Sequence, residues 1–403
     1  MMSVRRLRYV PLALALVAAT ACGGGDDDGG DAASDTGGSE PHVLGFSSDL
    51  SGAFAGASNG NLAGMQAYFE RVNAEGGVDG HPVELDIRDD RLDVQVGSAD
   101  IRDLAEQGVP VVLGNTSSVV WATTANLAEE LEVPQIALAA VDGMVYPPRP
   151  YLYRNLMSAR QAAEGELRFA LETAETDAPR IAAIRYESAG TDDWETALEE
   201  AMGEAGLEPL VASERFPAAS TDVAPAASAV VGANPDWVLA TLNDPQAPLV
   251  MDALRNRGYT GPVVNWTGSS EAVIDAVDDP EFYVLRDIVP FDQPGGAPLL
   301  EDAEAAGVEG DLNDYSSNGY LAAKVVVEAL RACGYPCDGP GMETALVEVG
   351  GIDTAGMAGP GFGDVNDESH LLTSTVSIWN RAEGEAQSAM VGDWFEPTVD
   401  GLR

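Results

Sequence analysis

From Val43 onward the chain repeats one unit, a short apolar stretch followed by a segment with helical spacing, and this rhythm constrains the fold more than any other feature. Val83, Leu85 and Ile87 alternate with Glu84, Asp86 and Arg88, which is the period of a strand. Leu62, Met65, Phe69 and Val72 share one face of a helix predicted over Asn61–Glu75. Gly76-Gly77 ends it, because glycine tolerates the left-handed turn that closes a helix. The same reading predicts strands over Val43–Phe46, Pro110–Leu113 and Val133–Leu138, and helices over Val94–Gln107 and Ser118–Leu131. A second run places strands at Arg180–Arg185, Leu210–Arg215, Trp237–Thr241 and Pro262–Asn265, with helices at Ala162–Glu175, Trp194–Ala205 and Pro248–Arg257. Helices at Tyr315–Ala332 and Met342–Val349 follow. Strands alternating with helices build parallel, doubly wound sheets, so two such runs predict two α/β, Rossmann-like lobes.

The first residues serve a different purpose. Arg5, Arg6 and Arg8 precede the short apolar run Leu12–Ala19, then Thr20, Ala21 and Cys22. The run is too short to span a bilayer, which takes roughly 20 apolar residues. A basic start, a short apolar core and small residues before a break make residues 1–21 a secretory signal. With a cysteine directly after them, they resemble a lipoprotein signal, which implies that Cys22 becomes the first mature residue and carries lipid. Residues 22–41 are glycine, aspartate and serine for the most part, a composition that buries no core and makes a flexible tether. The expected location is the outer face of the cytoplasmic membrane, held there by the lipid anchor. Roughly 360 residues remain, enough for about two domains.

Charge narrows the partners. The chain has 66 acidic and 21 basic residues and a formal charge of −45, and loss of the signal removes three more arginines. Nucleic acid and anionic lipid are excluded, since both require clustered Lys and Arg. Cys333 and Cys337 are separated by Gly334-Tyr335-Pro336 and, outside the cytoplasm, read as a local disulfide. No further His or Cys lies near enough in sequence to complete a zinc site, and no metal or cofactor is expected. There are three histidines, of which His42 borders the tether and His81 lies in a turn. No nucleophile elbow, phosphate loop or His-Glu-x-x-His segment occurs, so the chain is not expected to be an enzyme.

Residues 68–90 carry the most specific pattern: a helix ending Asn73-Ala74-Glu75-Gly76-Gly77, then Val78-Asp79-Gly80, then the alternating strand that ends in Asp89-Asp90. With Asp49-Leu50-Ser51-Gly52 before it, and Gly114-Asn115-Thr116-Ser117-Ser118 and Val133-Pro134-Gln135-Ile136 after it, the chain resembles the leucine/isoleucine/valine-binding proteins of branched-chain amino-acid ABC importers. That family has the type I periplasmic binding protein fold, two lobes joined by a three-crossing hinge. The resemblance implies a first lobe of residues 42–158 plus 291–369 and a second of 159–290 plus 370–403. The crossings are expected near 157–161, 288–292 and 368–372. It also implies that a small amino acid or related carboxylate or amide is captured between the lobes and presented to permease subunits. The same fold also serves ligand-sensing receptors without transport, and that alternative stays open. Nothing in the chain calls for an oligomer, so a monomer is expected.

The resemblance places Ser118 on the ligand carboxylate, at a helix start where free N–H groups and the dipole favour an anion. Ser117 and Ser118 also suit a plain N-cap, and both roles are compatible. Ala139 and Ala140 correspond to the backbone that accepts a ligand ammonium. Val141 stands where relatives have a threonine, and Asp142 follows, either as an acceptor for the ammonium or as a cap on the next turn. Phe54 stands near the position of an aromatic that covers the ligand. Trp121, one turn into the Ser118 helix, either faces the crevice or packs in the core. The second lobe is expected to contribute Thr191, Asn243, Trp266 and Glu271 from the ends of its strands.

Overall fold

The computed structural model describes residues 39–139, 142–243, 245–266, 271–365 and 370–399. The signal, most of the tether, Cys22, Ala140 and Val141 lie outside the described residues. The first sheet has five parallel strands: β1 (His42–Ser48), β2 (Val83–Asp89), β3 (Val112–Gly114), β4 (Gln135–Ala137) and β5 (Leu152–Arg154). Their order is β2-β1-β3-β4-β5. Helices α1 (Ala55–Ala74), α2 (Val94–Glu106) and α3 (Ser118–Leu131) connect them. Helix α3 matches its predicted span at both ends, because its N-cap and its apolar face are both written locally.

The second sheet has seven strands: β6 (Ile181–Tyr186), β7 (Ala212–Phe216), β8 (Trp237–Thr241), β9 (Val263–Trp266), β10 (Phe282–Arg286), β11 (Val376–Asn380) and β12 (Ala389–Phe395). Their order is β12-β11-β10-β9-β8-β6-β7. Strands β6 to β10 are parallel to their neighbours, as the rhythm requires, whereas β11 and β12 run antiparallel along one edge. The sequence reading did not include that edge. Helices α4 (Ala159–Thr173) and α5 (Ala189–Glu204) cover one face, with Ala183, Leu239, Val264 and Leu285 beneath them. Helices α6 (Ala224–Gly232), α7 (Gln246–Arg255) and α8 (Glu271–Val277) cover the other.

The first sheet is covered on both faces too. After β10 the chain returns to it and adds α9 (Ala297–Ala306), α10 (Ser316–Cys333) and α11 (Gly339–Glu348), which join α1 over Leu44, Phe46, Leu113 and Ile136. Helices α2 and α3 fill the opposite face. Sheets buried on both faces need apolar residues at nearly every strand position, as in β8 and β9, where every residue is buried. Helix α1 begins six residues before its predicted start. Its first turns hold Gly56, Ser58 and Gly60 rather than an apolar stripe, and they are tied down by the segment before α10, where the Asn313 side chain lies against Gly60 and donates to the Gly56 carbonyl at 2.8 Å, while α10 packs closely one turn on. A Cβ on Gly64 would lie 1.9 Å from the carbonyl oxygen of Ser316, and one on Gly319 would lie 1.8 Å from that of Asn61.

Helix α10 ends at Cys333, whose sulfur is bonded to that of Cys337 with the Cα atoms 5.7 Å apart. His42 is buried at the start of β1, at the end of the strand away from the crevice loops, with its ring edge-on to His81 and Tyr335. Burial, reinforced by His81, lowers its pKa. Among the described residues no helix is long and apolar enough to cross a membrane.

Candidate functional site

In open α/β sheets a ligand sits outside the carboxyl ends of the strands, where the strand order reverses. In the first sheet that point lies between β1 and β3, and in the second between β6 and β8. Their following loops are Asp49–Phe54, Asn115–Ser117, Glu187–Ser188 and Leu242–Asn243. The candidates named from sequence lie on these loops, on the helices that follow them, or on the ends of neighbouring strands. They divide by whether the fold has already engaged their polar atoms.

On the first sheet, Asp49 is buried and accepts the N–H groups of Gly52 and Phe54 at 2.6 and 2.9 Å, which fixes the loop and leaves Phe54 exposed at its end. Ser48, Ser58 and Thr116 form a buried triangle of hydroxyls, with oxygens 2.8–3.2 Å apart, that ties β1, α1 and the β3 loop together. The sequence reading missed this triangle because Ser58 lies before the predicted start of α1.

Ser117 is the N-cap of α3 and accepts the Val120 N–H at 3.2 Å. Ser118 is different. Among the described residues neither its hydroxyl, nor its backbone N–H, nor that of Val119 has a hydrogen-bond partner. A hydroxyl and two free N–H groups at the positive end of a helix make an anion-binding arrangement. Trp121 does not share that opening. It is fully buried among Ala125, Ala128, Ala139, Val145 and Leu152, with its Nε1–H unpartnered.

Asp142 is not free to meet a ligand. Its Oδ1 accepts from Arg154 Nη1 at 2.5 Å and from the Ala159 N–H at 3.0 Å, and its Oδ2 accepts from the Arg160 N–H at 3.1 Å.

On the second sheet, Thr191 is the third residue of a capping box. Its hydroxyl donates to the Tyr186 carbonyl at 2.5 Å and accepts the Ser188 N–H at 3.1 Å. Glu271 accepts from the Ser388 N–H and hydroxyl at 2.7 and 2.5 Å and lies 3.8 Å from Arg286, whose buried guanidinium has its pKa lowered by desolvation. Asn243 and Trp266 keep free polar atoms. The Asn243 Oδ1 and Trp266 Nε1 are buried and unpartnered, as is Oγ1 of Thr241 at the end of β8. Ala240 pairs with Asn265, so Thr241 and Trp266 follow at one register and share a face of the sheet. Each buried polar atom left unpaired costs about 1–3 kcal/mol, which a ligand or water would offset.

Comparison with known proteins agrees with this architecture. The sequence profile of the family described as "Periplasmic binding protein" matches residues 41–379. The Leu/Ile/Val-binding protein homolog 7 of Brucella abortus is 24% identical over 355 residues, covering 82% of this chain and 87% of that protein. Among solved structures, the substrate-binding protein of an Aeropyrum pernix ABC transporter is similar with a TM-score of 0.75 at 18% identity, covering 90% of this chain and 98% of that one. A solute-binding protein of an ABC transporter from R. palustris, solved with 4-hydroxybenzoate, has a TM-score of 0.71 at 18% identity, covering 89% and 97%. Two largely parallel α/β sheets covered on both faces, each with one switch point, and a profile match over most of the chain agree: it belongs to the periplasmic binding protein family, with the two-lobed type I fold.

Proposed function

We propose that the protein is the solute-binding lipoprotein of an ABC importer, which captures a small carboxylate-bearing molecule, an amino acid or a relative, between its lobes and presents it to permease subunits. The observation that carries this reading is the start of α3, where the Ser118 hydroxyl and two backbone N–H groups have no partner among the described residues, at the switch point of the first sheet. The names of the relatives support it, since a branched-chain amino acid and 4-hydroxybenzoate share a carboxylate. Residues 5–22 support export and lipidation at Cys22, and the tether lets an anchored monomer move to its permease. Closure is driven by contacts that the ligand makes with both lobes at once. Binding and release, not chemistry, are the activity of this site.

Thermal melting of residues 39–403, a span that holds both sheets and every core cluster, tests the reading against amino acids, amides, simple carboxylates and sugars. A ligand at 100 times its dissociation constant stabilises by about 2.7 kcal/mol, a rise of several degrees. A rise confined to carboxylates supports the proposal, and a rise with sugars alone overturns it. Ser118→Ala is expected to weaken binding of the active carboxylate about tenfold, the loss of one hydrogen bond to a charged group, while the free protein melts within about 1 °C of the parent. Unchanged affinity in titration calorimetry would remove Ser118 from the site.

A further inference from the structure

Asp142 follows β4 in the first lobe, yet most of what holds it belongs to the second. The N–H groups on its two carboxylate oxygens are those of Ala159 and Arg160, the first two residues of α4, and α4 packs on α5 and the second sheet. With Ser158 and Gln161 capping each other, all four N–H groups from Ser158 to Gln161 have partners, and two of them go to a side chain from the other lobe. Asp193 on α5 also faces the Asp142 backbone N–H, and burial, then the Asp142 charge, raises its pKa. On the near side, Arg154 is fully buried against Asp142 and joins the segments that run between the sheets. Its Nη2 donates to the Met157 carbonyl at 2.8 Å. Its N–H donates to the His370 carbonyl, and its own carbonyl accepts from the Leu372 N–H, both at 2.9 Å. Met157 N–H in turn donates to Asp287, directly after β10, at 2.8 Å.

We propose that Asp142 is a positioning residue that latches the two lobes, fixing their angle by holding the start of α4 and the Arg154 junction, and that it acts through these groups rather than by touching ligand. The latch sits five residues beyond β4, on the segment that leads from β4 to β5. An aspartate is required because only a carboxylate accepts from a guanidinium and two adjacent helix N–H groups together. The inference concerns the ligand-free protein and stands apart from what the site binds.

Removing Asp142 itself strands a buried guanidinium and endangers the fold, so the test alters the partners in the second lobe. Ala159→Pro deletes one latch N–H at the first helical position, where proline is tolerated, and the extended Ser158 before it (φ −77°, ψ 161°) already suits a following proline. Asp193→Ala removes the carboxylate that faces the Asp142 backbone N–H and leaves the Arg160 N–H bond in place, and Asp193→Asn retains an acceptor. Small-angle scattering of ligand-free 39–403 reads the lobe angle. A compact chain of this length has a radius of gyration of about 21 Å, and Ala159→Pro and Asp193→Ala are each expected to raise it by about 1 Å, with Asp193→Asn matching the parent. Unchanged radii in both variants overturn the proposal. So does a drop in melting temperature without a change in radius, which is what a merely structural contact gives.

Discussion

Arg154→Met is expected to destabilise the protein by about 3–5 kcal/mol, the range seen when one member of a buried ion pair is removed. The side chain of Arg154 is 0% exposed and that of Asp142 is 15% exposed. Methionine fills a similar volume but leaves the Asp142 carboxylate and the Met157 carbonyl without the guanidinium, and the remaining helix N–H groups neutralise only part of that charge. Adding Asp142→Leu is expected to recover part of the loss, because two matched apolar groups cost less than one stranded charge. Recovery stays incomplete, since the Ala159 and Arg160 N–H groups then lose their acceptor, a capping loss of about 0.5–2 kcal/mol. Urea unfolding of the parent, both single variants and the double variant closes the cycle. An Arg154→Met loss below about 1 kcal/mol, the value of an exposed pair, would show that water reaches this junction.

The second large effect is a melting temperature that falls as pH rises from about 5 to 8. Burial pushes the carboxyls of Asp90 and Asp287 up to about 6 and that of Glu166, fully buried beside the Trp194 indole N–H, well above the usual range. Their folded pKa values exceed the unfolded ones, so in this window the folded chain holds more protons than the unfolded chain. Stability therefore drops as pH rises through it. A shift from 3.8 to about 6 corresponds to at most about 3 kcal/mol for each aspartate once pH passes the folded value. The formal charge of −45 adds repulsion in the same direction. Below about pH 4 the trend reverses, because Asp86, held low by its hydrogen bond and charge pairing with Arg88, then loses its stabilising charge. Melting curves at fixed ionic strength from pH 4.5 to 8 check the sign, and Asp287→Asn is expected to flatten the profile. A melting temperature that climbs toward pH 8 contradicts the buried, protonated carboxyls.

The two predictions concern groups that no local pattern marks. Arg154 and Asp287 sit in segments where the periodicity marks no element, and Glu166 sits in an ordinary helix. Their consequence arises from burial, and burial is decided by what packs on them. The same holds for α1, whose glycine-rich start carries no apolar stripe and is held by Asn313, 257 residues after the Gly56 carbonyl that it binds. The antiparallel edge of β11 and β12 was equally invisible, since a strand that pairs at a sheet edge needs no helix before it to announce a crossover.

For the candidate site, sequence blocks located the loops, and the fold sorted the side chains on them. Asp142 and Glu271 had the right chemistry for a ligand ammonium, but Arg154 with α4 engages the first and Ser388, 117 residues away in the chain, engages the second. Ser118, Asn243 and Trp266 remain with free polar atoms. The sequence by itself determined the alternation of strand and helix, the doubly wound lobes, and which loops gather at the strand ends, because these follow from local periodicity and chain order. Only the tertiary structure decided which of the polar groups on those loops stay unpaired. Each buried donor or acceptor takes whatever partner packing brings within about 3 Å, and distance along the chain places no limit on where that partner comes from.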